Sequence, residues 1–286
     1  MEEICLVVVP YELGRLRDGV GCGPERLLEC GAVDALASAG AGVRTELIEL
    51  DDRYGASGLG DVDAAFELIR LISGRVRLAR EERVFPVVLS GSCFAAVGVV
   101  AGLEESAPGV VWFDAHADFN QPETSISGYF DGMGLAVLTG SAWQGLRATV
   151  PGTGPVQEST VVLAGARDFD PPEETRLRAS QIVHLTSQHL RSPETLVQAL
   201  HAVVPEITGL YVHLDLDVLD LKVAKVNVYS TPGGLDGDQL DELLAAVMRT
   251  FPVRAVSLTC YDPTCDVEAR LPPIALRLLR TIAHSL

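Results

Sequence analysis

Short apolar runs rich in Val, Ile and Leu alternate with longer stretches of helical periodicity from one end of the chain to the other. A run without regular polar alternation must be covered on both faces, which is the condition of a strand inside a parallel sheet. Strands are expected over residues 4–9, 43–49, 84–89, 110–113, 161–164, 181–185, 210–214 and 255–258, with helices over 23–37, 62–79, 92–103, 131–138, 172–180, 192–203, 237–250 and 272–284. Eight such strands fit one mostly parallel sheet with helices on both sides, an α/β arrangement. No repeat, low-complexity tract or Pro/Ser linker divides the 286 residues, so a single domain over 1–286 is expected. The segment from Asp114 to Asp131 is a long gap between elements, and long loops in compact domains tend to carry function.

Charge removes several classes of partner. Asp and Glu number 39 against 22 Lys and Arg, a net charge of −17, and no basic cluster appears, so nucleic acid is not expected as a partner. No apolar run approaches the roughly 18 residues of a membrane span. The acidic start does not suit a signal peptide, and a cytoplasmic location with no membrane partner is expected. Six cysteines, at 5, 22, 30, 93, 260 and 265, are too scattered for a disulfide framework.

The stretch Val111-Trp-Phe-Asp-Ala-His-Ala-Asp-Phe-Asn120 opens as a buried strand and then offers Asp114, His116 and Asp118. In extended backbone, alternate side chains share one side, so the three would converge at the carboxyl end of a strand, where open α/β sheets bind ligands. Leu210-Tyr-Val-His-Leu-Asp-Leu-Asp217 repeats the pattern with Asp215 and Asp217. Four carboxylates and an imidazole aimed at one spot need a counter-charge. Divalent cations supply it, and a donor set that is mostly oxygen with one nitrogen suits Mn²⁺ better than structural zinc. Helix capping explains one such Asp, but not five groups of this kind on two strands.

Asp114-Ala-His-Ala-Asp118 and Asp215-Leu-Asp217 resemble the two metal signatures of the ureohydrolase family, the arginases, agmatinases and their relatives. Gly19-Val-Gly-Cys-Gly-Pro-Glu-Arg-Leu-Leu-Glu-Cys-Gly31 is similar to that family's Gly-rich loop and first helix, and Thr231-Pro-Gly-Gly234 to its turn after the second metal strand. The resemblance implies an arginase-like three-layer αβα sandwich and two Mn²⁺ ions per chain bridged by a hydroxide that attacks a guanidino carbon. It implies that Asp114 and Asp215 bridge both ions, that Asp118 and the residue at position 93 bind the first, and that His116 and Asp217 bind the second. Many relatives form trimers or hexamers, so an oligomer is possible here.

Several positions resemble the arginase branch, whose substrates carry an α-amino acid end. Asn120 and Ser127 match groups that hold the α-carboxylate, Asp170 matches the acceptor of the α-ammonium, and Glu173 is expected to assist it. Neutral donors suit a carboxylate and an acidic loop suits an ammonium. The other reading is that Asp168, Asp170 and Glu173 open the following helix through dipole contacts.

Three departures from the family pattern carry information of their own. Ser90-Gly-Ser-Cys93 stands where relatives read Gly-Gly-Asp-His, so Cys93 replaces a histidine ligand with a soft thiol that should alter or weaken the first site. Cys260 replaces a glutamate that pairs with the substrate guanidinium. Asp131 replaces a histidine that moves protons, with Tyr129 in place of a nearby asparagine. Asp118 and Asp131 are therefore the catalytic candidates and Cys260 a substrate contact. His213 shares a face with Asp215 and is expected to hydrogen-bond a ligand carboxylate.

Arginine carries a full positive charge, with a pKa of about 12.5 or more. A buried ion pair that loses one partner is weakened by about 3–5 kcal/mol, so a less basic head group is favoured in a pocket without the glutamate. The replacements resemble the branch of the family that splits N-omega-hydroxy-L-arginine to hydroxyurea and L-ornithine in D-cycloserine biosynthesis. An ordinary arginase, another guanidino-acid hydrolase and a catalytically silent metal-binding relative remain open at this point.

Overall fold

The computed structural model describes residues 3–51, 54, 60–203 and 208–286; Met1 and Glu2, at the acidic start, lie outside them. Eight strands form one sheet: β1 (Glu3–Val9), β2 (Gly42–Leu47), β3 (Phe85–Ser90), β4 (Pro108–Phe113), β5 (Val161–Ala164), β6 (Val183–Leu185), β7 (Gly209–Asp215) and β8 (Val253–Thr259). Their order across the sheet is β2-β1-β3-β8-β7-β4-β5-β6. Every pairing is parallel, so the sheet is parallel throughout where the sequence suggested mostly so. The reason is visible in β4 and β7, which are buried along their whole length and leave no face for water.

Helices cover both faces and make three layers. On one face Gly60–Glu81 packs on Ala95–Leu103 through Ile69, Ile72, Val76, Val97 and Val100. The approach is close because Gly98 lacks a side chain: a Cβ there would lie 2.5 Å from the carbonyl oxygen of Ile69. On the other face Leu240, Leu243 and Val247 of Gly237–Thr250 meet Leu278, Leu279 and Ile282 of Leu271–Ser285. No helix among the described residues is long and apolar enough to cross a membrane.

Three expected helices are interrupted. The one over 23–37 divides into Gly23–Glu29 and Ala32–Ala37, because Gly31 takes a left-handed φ of +103° between them. The one over 92–103 begins at Ala95, and the one over 131–138 opens with a 3-10 turn, Asp131–Met133. The chain also forms a small hairpin, Tyr11–Glu12 with Arg15–Leu16, that no hydrophobic period announces. This hairpin and the 3-10 turn Gly19–Cys22 press onto the end of β3, where a Cβ on Gly91 would meet the Tyr11 carbonyl oxygen at 2.4 Å and the Gly21 Cα at 2.7 Å.

Candidate active site

Four neighbouring strands at the centre of the sheet, β3, β8, β7 and β4, end level with one another. Ser90 is paired with Thr259, Thr259 with Asp215, and Phe113 with Leu214. Asp215 is thus the last residue of β7, Asp114 and Cys260 are the first beyond β4 and β8, and Cys93 lies in the turn after β3. Parallel strands put all four carboxyl ends on one edge, where Cys93, Asp215 and Cys260 line one cavity together with His116, Asp118 and Asp217, and Asp114 lies behind His116.

The carboxylates converge by a different route from the extended alternation expected. β4 stops at Phe113 and β7 at Asp215, and tight turns then bring in the remaining groups. Asp114 Oδ1 accepts from His116 N at 2.7 Å, and Asp215 Oδ1 from Asp217 N at 2.8 Å, the same side-chain turn used twice. Asp118 sits at a φ of +48°. Further donors aim the cluster: Trp112 Nε1 to Asp114 Oδ2 at 2.9 Å, Ala115 N to Asp217 Oδ1 at 3.1 Å and Asn227 Nδ2 to Asp217 Oδ2 at 3.2 Å.

His116 Nδ1 stands 3.3 Å from both Asp114 Oδ1 and Asp217 Oδ2. Burial alone would discharge His116, but Asp217 and Asp114 outweigh it and raise its pKa. Asp217 is lowered by His116 against the burial that would raise it. Burial and then neighbouring carboxylates raise Asp114, Asp118 and Asp215, so the cluster is short of positive charge. Asp118 Oδ2 is buried and has no hydrogen-bond partner among the described residues.

This donor set fits divalent cations. Asp114, His116 and Asp217 bring their donor atoms within 4.8 Å of one another, as do Cys93, Asp114 and His213, and also Cys93, Asp131 and Cys260. Asp118 and Asp215 line the same cavity but fall in none of these three tight groups, so the first expected ligand set is less closely gathered than the second.

Thiols occupy one end. Cys93 Sγ donates to Asp215 Oδ2 at 3.0 Å and lies 3.4 Å from Cys260 Sγ. Burial, foremost, raises both thiols well above the ordinary cysteine range. His213 departs from expectation. Its Nε2 is 3.1 Å from Cys93 Sγ and its Nδ1 3.2 Å from the Tyr211 hydroxyl, so it meets a thiol and not a carboxylate. Its ring stacks on Trp112 at 3.7 Å, and burial lowers its pKa to about 3, leaving it neutral. The turn after β3 aims Cys93 at β7, which one-dimensional spacing does not reveal. Asp131 accepts from Phe94 N at 3.0 Å and approaches Cys260 Sγ at 3.6 Å. Burial pushes it up to about 7, which suits a group that takes and returns a proton near neutral pH.

The other end is built from two loops. Asn120 Nδ2 donates to Asp170 Oδ2 at 3.1 Å, and Ser127 accepts from Tyr129 N at 3.1 Å beside them. Glu173 borders the cavity but is also a brace: it accepts from Phe119 N at 2.8 Å and Asp170 N at 3.3 Å at the start of Pro171–Ala179. Glu173 thus opens the helix, as the second reading of the acidic loop expected, while Asp170 faces Asn120.

Sequence reasoning passed over Asn227 and Tyr229, which also line the cavity, and Arg167. The Arg167 guanidinium donates to the carbonyls of Gly165, Asp217, Val218, Leu219, Thr231 and Pro232 and so ties the Asp217 turn to the following loop. Nothing local marks Arg167, because its acceptors are backbone atoms distant in sequence. The position of Asn227 and Tyr229, shortly after Asp217 and before Thr231-Pro-Gly-Gly, was the available signal.

A family model described as the arginase family matches residues 2–284. The arginase of Bacillus caldovelox is 29% identical over 298 residues, covering 99% of this chain and 98% of the relative. That of Bacillus subtilis strain 168 is 29% identical over 238 residues, 76% of each chain. The crystal structure of arginase from Bacillus cereus superposes with a TM-score of 0.88 at 26% identity, covering 98% of both chains.

Proposed function

The chain belongs to the arginase family, whose members are hydrolases acting on C–N bonds, and from that premise we propose that it is a dinuclear manganese amidinohydrolase that cleaves N-omega-hydroxy-L-arginine to hydroxyurea and L-ornithine. One observation carries the choice of substrate. At the two places where the family resemblance puts a histidine ligand and a guanidinium-pairing glutamate, this chain has cysteines whose sulfurs lie 3.4 Å apart, and neither offers a carboxylate. A fully charged guanidinium gains no carboxylate from Cys260. The oxygen of hydroxyarginine withdraws electrons, lowers basicity and keeps a neutral head available near neutral pH.

Asp114, His116, Asp217, Asp118, Asp215 and Cys93 would hold the ions. Two manganese ions, when bound, supply charge stabilisation and a nucleophile drawn from water at neutral pH. Asn120 and Ser127 receive the α-carboxylate and Asp170 the α-ammonium, so the amino acid end anchors the substrate and the head faces the metal cluster. Asp131, with its pKa near 7, holds the proton that the departing ornithine nitrogen needs.

The named relatives are arginases, and that activity is the second reading. Steady-state comparison of the two substrates on manganese-loaded enzyme decides between them. Hydroxyarginine is expected to show the higher kcat/KM, and an equal or higher value for arginine would overturn the assignment.

A further inference from the structure

Two aromatic rings at the thiol end of the cavity have no part in the chemistry above. Tyr129 and Tyr229 come from separate loops and face each other with centroids 5.7 Å apart and planes inclined by 30°. Tyr229 also stands edge-on to His116, at 6.3 Å and 86°. Both tyrosines line the cavity with Cys93 and Cys260. The Tyr129 hydroxyl donates to Glu12 Oε1 at 2.9 Å, and Arg15 holds the same oxygen at 2.8 Å. Tyr229 is 50% exposed, and its hydroxyl makes no hydrogen bond among the described residues. Core packing does not account for a half-open ring placed between a buried metal-ligand cluster and a second tyrosine.

We infer that Tyr129 and Tyr229 are specificity-determining residues: the planar nitrogen head of the substrate lies against their rings, and Glu12 is a positioning residue that holds Tyr129 from outside the cavity. The inference rests on the amidinohydrolase reading and adds the surface that selects the head group. A flat, weakly basic head such as hydroxyguanidine gains contact with an aromatic face and sheds little hydration. A guanidinium receives from a ring face less than a carboxylate would return for the water it gives up. With Cys260 beside the rings, this end of the pocket is an aromatic and thiol compartment, while the polar groups of Asn120, Ser127 and Asp170 serve the amino acid end.

The test combines kinetics with calorimetry on the manganese-loaded full chain, using Tyr229→Ala, Tyr229→Phe and Glu12→Gln. Tyr229→Ala should raise the KM for hydroxyarginine by about two- to tenfold, as loss of an aromatic contact does, with kcat within about twofold. Binding of N-hydroxyguanidine, measured by titration calorimetry, should weaken by a similar factor, and binding of L-ornithine should not change. Tyr229→Phe should recover most of the N-hydroxyguanidine binding that Tyr229→Ala loses, because the ring and not the hydroxyl is used. Glu12→Gln should raise KM and leave kcat, as expected of a group acting through Tyr129. A folded Tyr229→Ala that binds N-hydroxyguanidine as tightly as the wild type overturns the inference. If the wild type fails to hydrolyse hydroxyarginine while Tyr229→Ala still weakens N-hydroxyguanidine binding, the substrate assignment falls and the aromatic wall stands.

Discussion

Replacing Cys260 with glutamate tests whether charge at the head group sets substrate preference. Cys260 is 6% exposed, and its sulfur lies 3.4 Å from Cys93 Sγ and 3.6 Å from Asp131 Oδ2. A carboxylate introduced there would pair with the guanidinium of arginine. Breaking such a pair in a fully buried site costs about 3–5 kcal/mol. Two features reduce the gain here: the cavity opens past half-exposed Tyr229, and Asp131 and Asp215 oppose another negative charge. About half the buried value, about 2 kcal/mol, is left, which corresponds to about thirtyfold at 1.36 kcal/mol per tenfold. Cys260→Glu should therefore raise the ratio of kcat/KM for arginine over hydroxyarginine by about thirtyfold, with a stability loss of about 1–3 kcal/mol from the larger side chain. Cys260→Gln has nearly the same volume and no charge, so it should leave the ratio near that of the wild type. If Cys260→Glu is folded and manganese-loaded yet moves the ratio less than threefold, or if Gln and Glu behave alike, the electrostatic argument is refuted.

Added Mn²⁺ should raise the melting temperature, since a ligand at a hundredfold excess over its Kd stabilises by about 2.7 kcal/mol; Asp114→Asn should abolish the shift, and a shift that survives would count against Asp114 as a ligand. Calorimetric titration should show manganese bound more tightly by Cys93→His and less tightly by Cys93→Ala, and equal affinity in the two would remove Cys93 from the site. Glu173 is raised from 4.5 to about 7 in the fold, chiefly by burial, so the folded state binds more protons than the unfolded one between those values and stability falls as pH rises through that window. In chelator, Glu173→Gln should flatten that decline by an amount on the order of 2 kcal/mol, read from urea unfolding at pH 5.5 and 8; an unchanged slope would dismiss Glu173 as its source. Arg167→Met strips a half-buried loop junction of its donors to six carbonyls and should lower unfolding stability by about 3 kcal/mol, whereas a loss below 1 kcal/mol would mean water replaces those bonds.

Much of the architecture is local information. Whether a strand can face water depends on its own residues, and the unbroken apolar runs of β1, β4 and β7 admit burial on both sides only. Such runs marked the central strands and the parallel α/β class, although the edge strand β2 is exposed at four of its six positions, and Asp114, His116, Asp215 and Asp217 were recognisable as candidates because each pair lies two residues apart. Local spacing was nevertheless an incomplete guide to how they meet: turns after Phe113 and Asp215, and not extended backbone, gather them.

Contacts between residues far apart in sequence were decided by the tertiary structure alone. The strand order sets β3, β8, β7 and β4 side by side, and only that order brings Cys93 to Cys260, His213 to Cys93, and Tyr129 to Tyr229 and Glu12. The electrostatics depend on it as well, since burial and neighbouring charge, not residue type, place Asp131 near 7 and His213 near 3. A sequence records which side chain each position carries; the distance, dielectric and partners that turn it into an acid, a ligand or a wall come from chain segments that meet only in the fold.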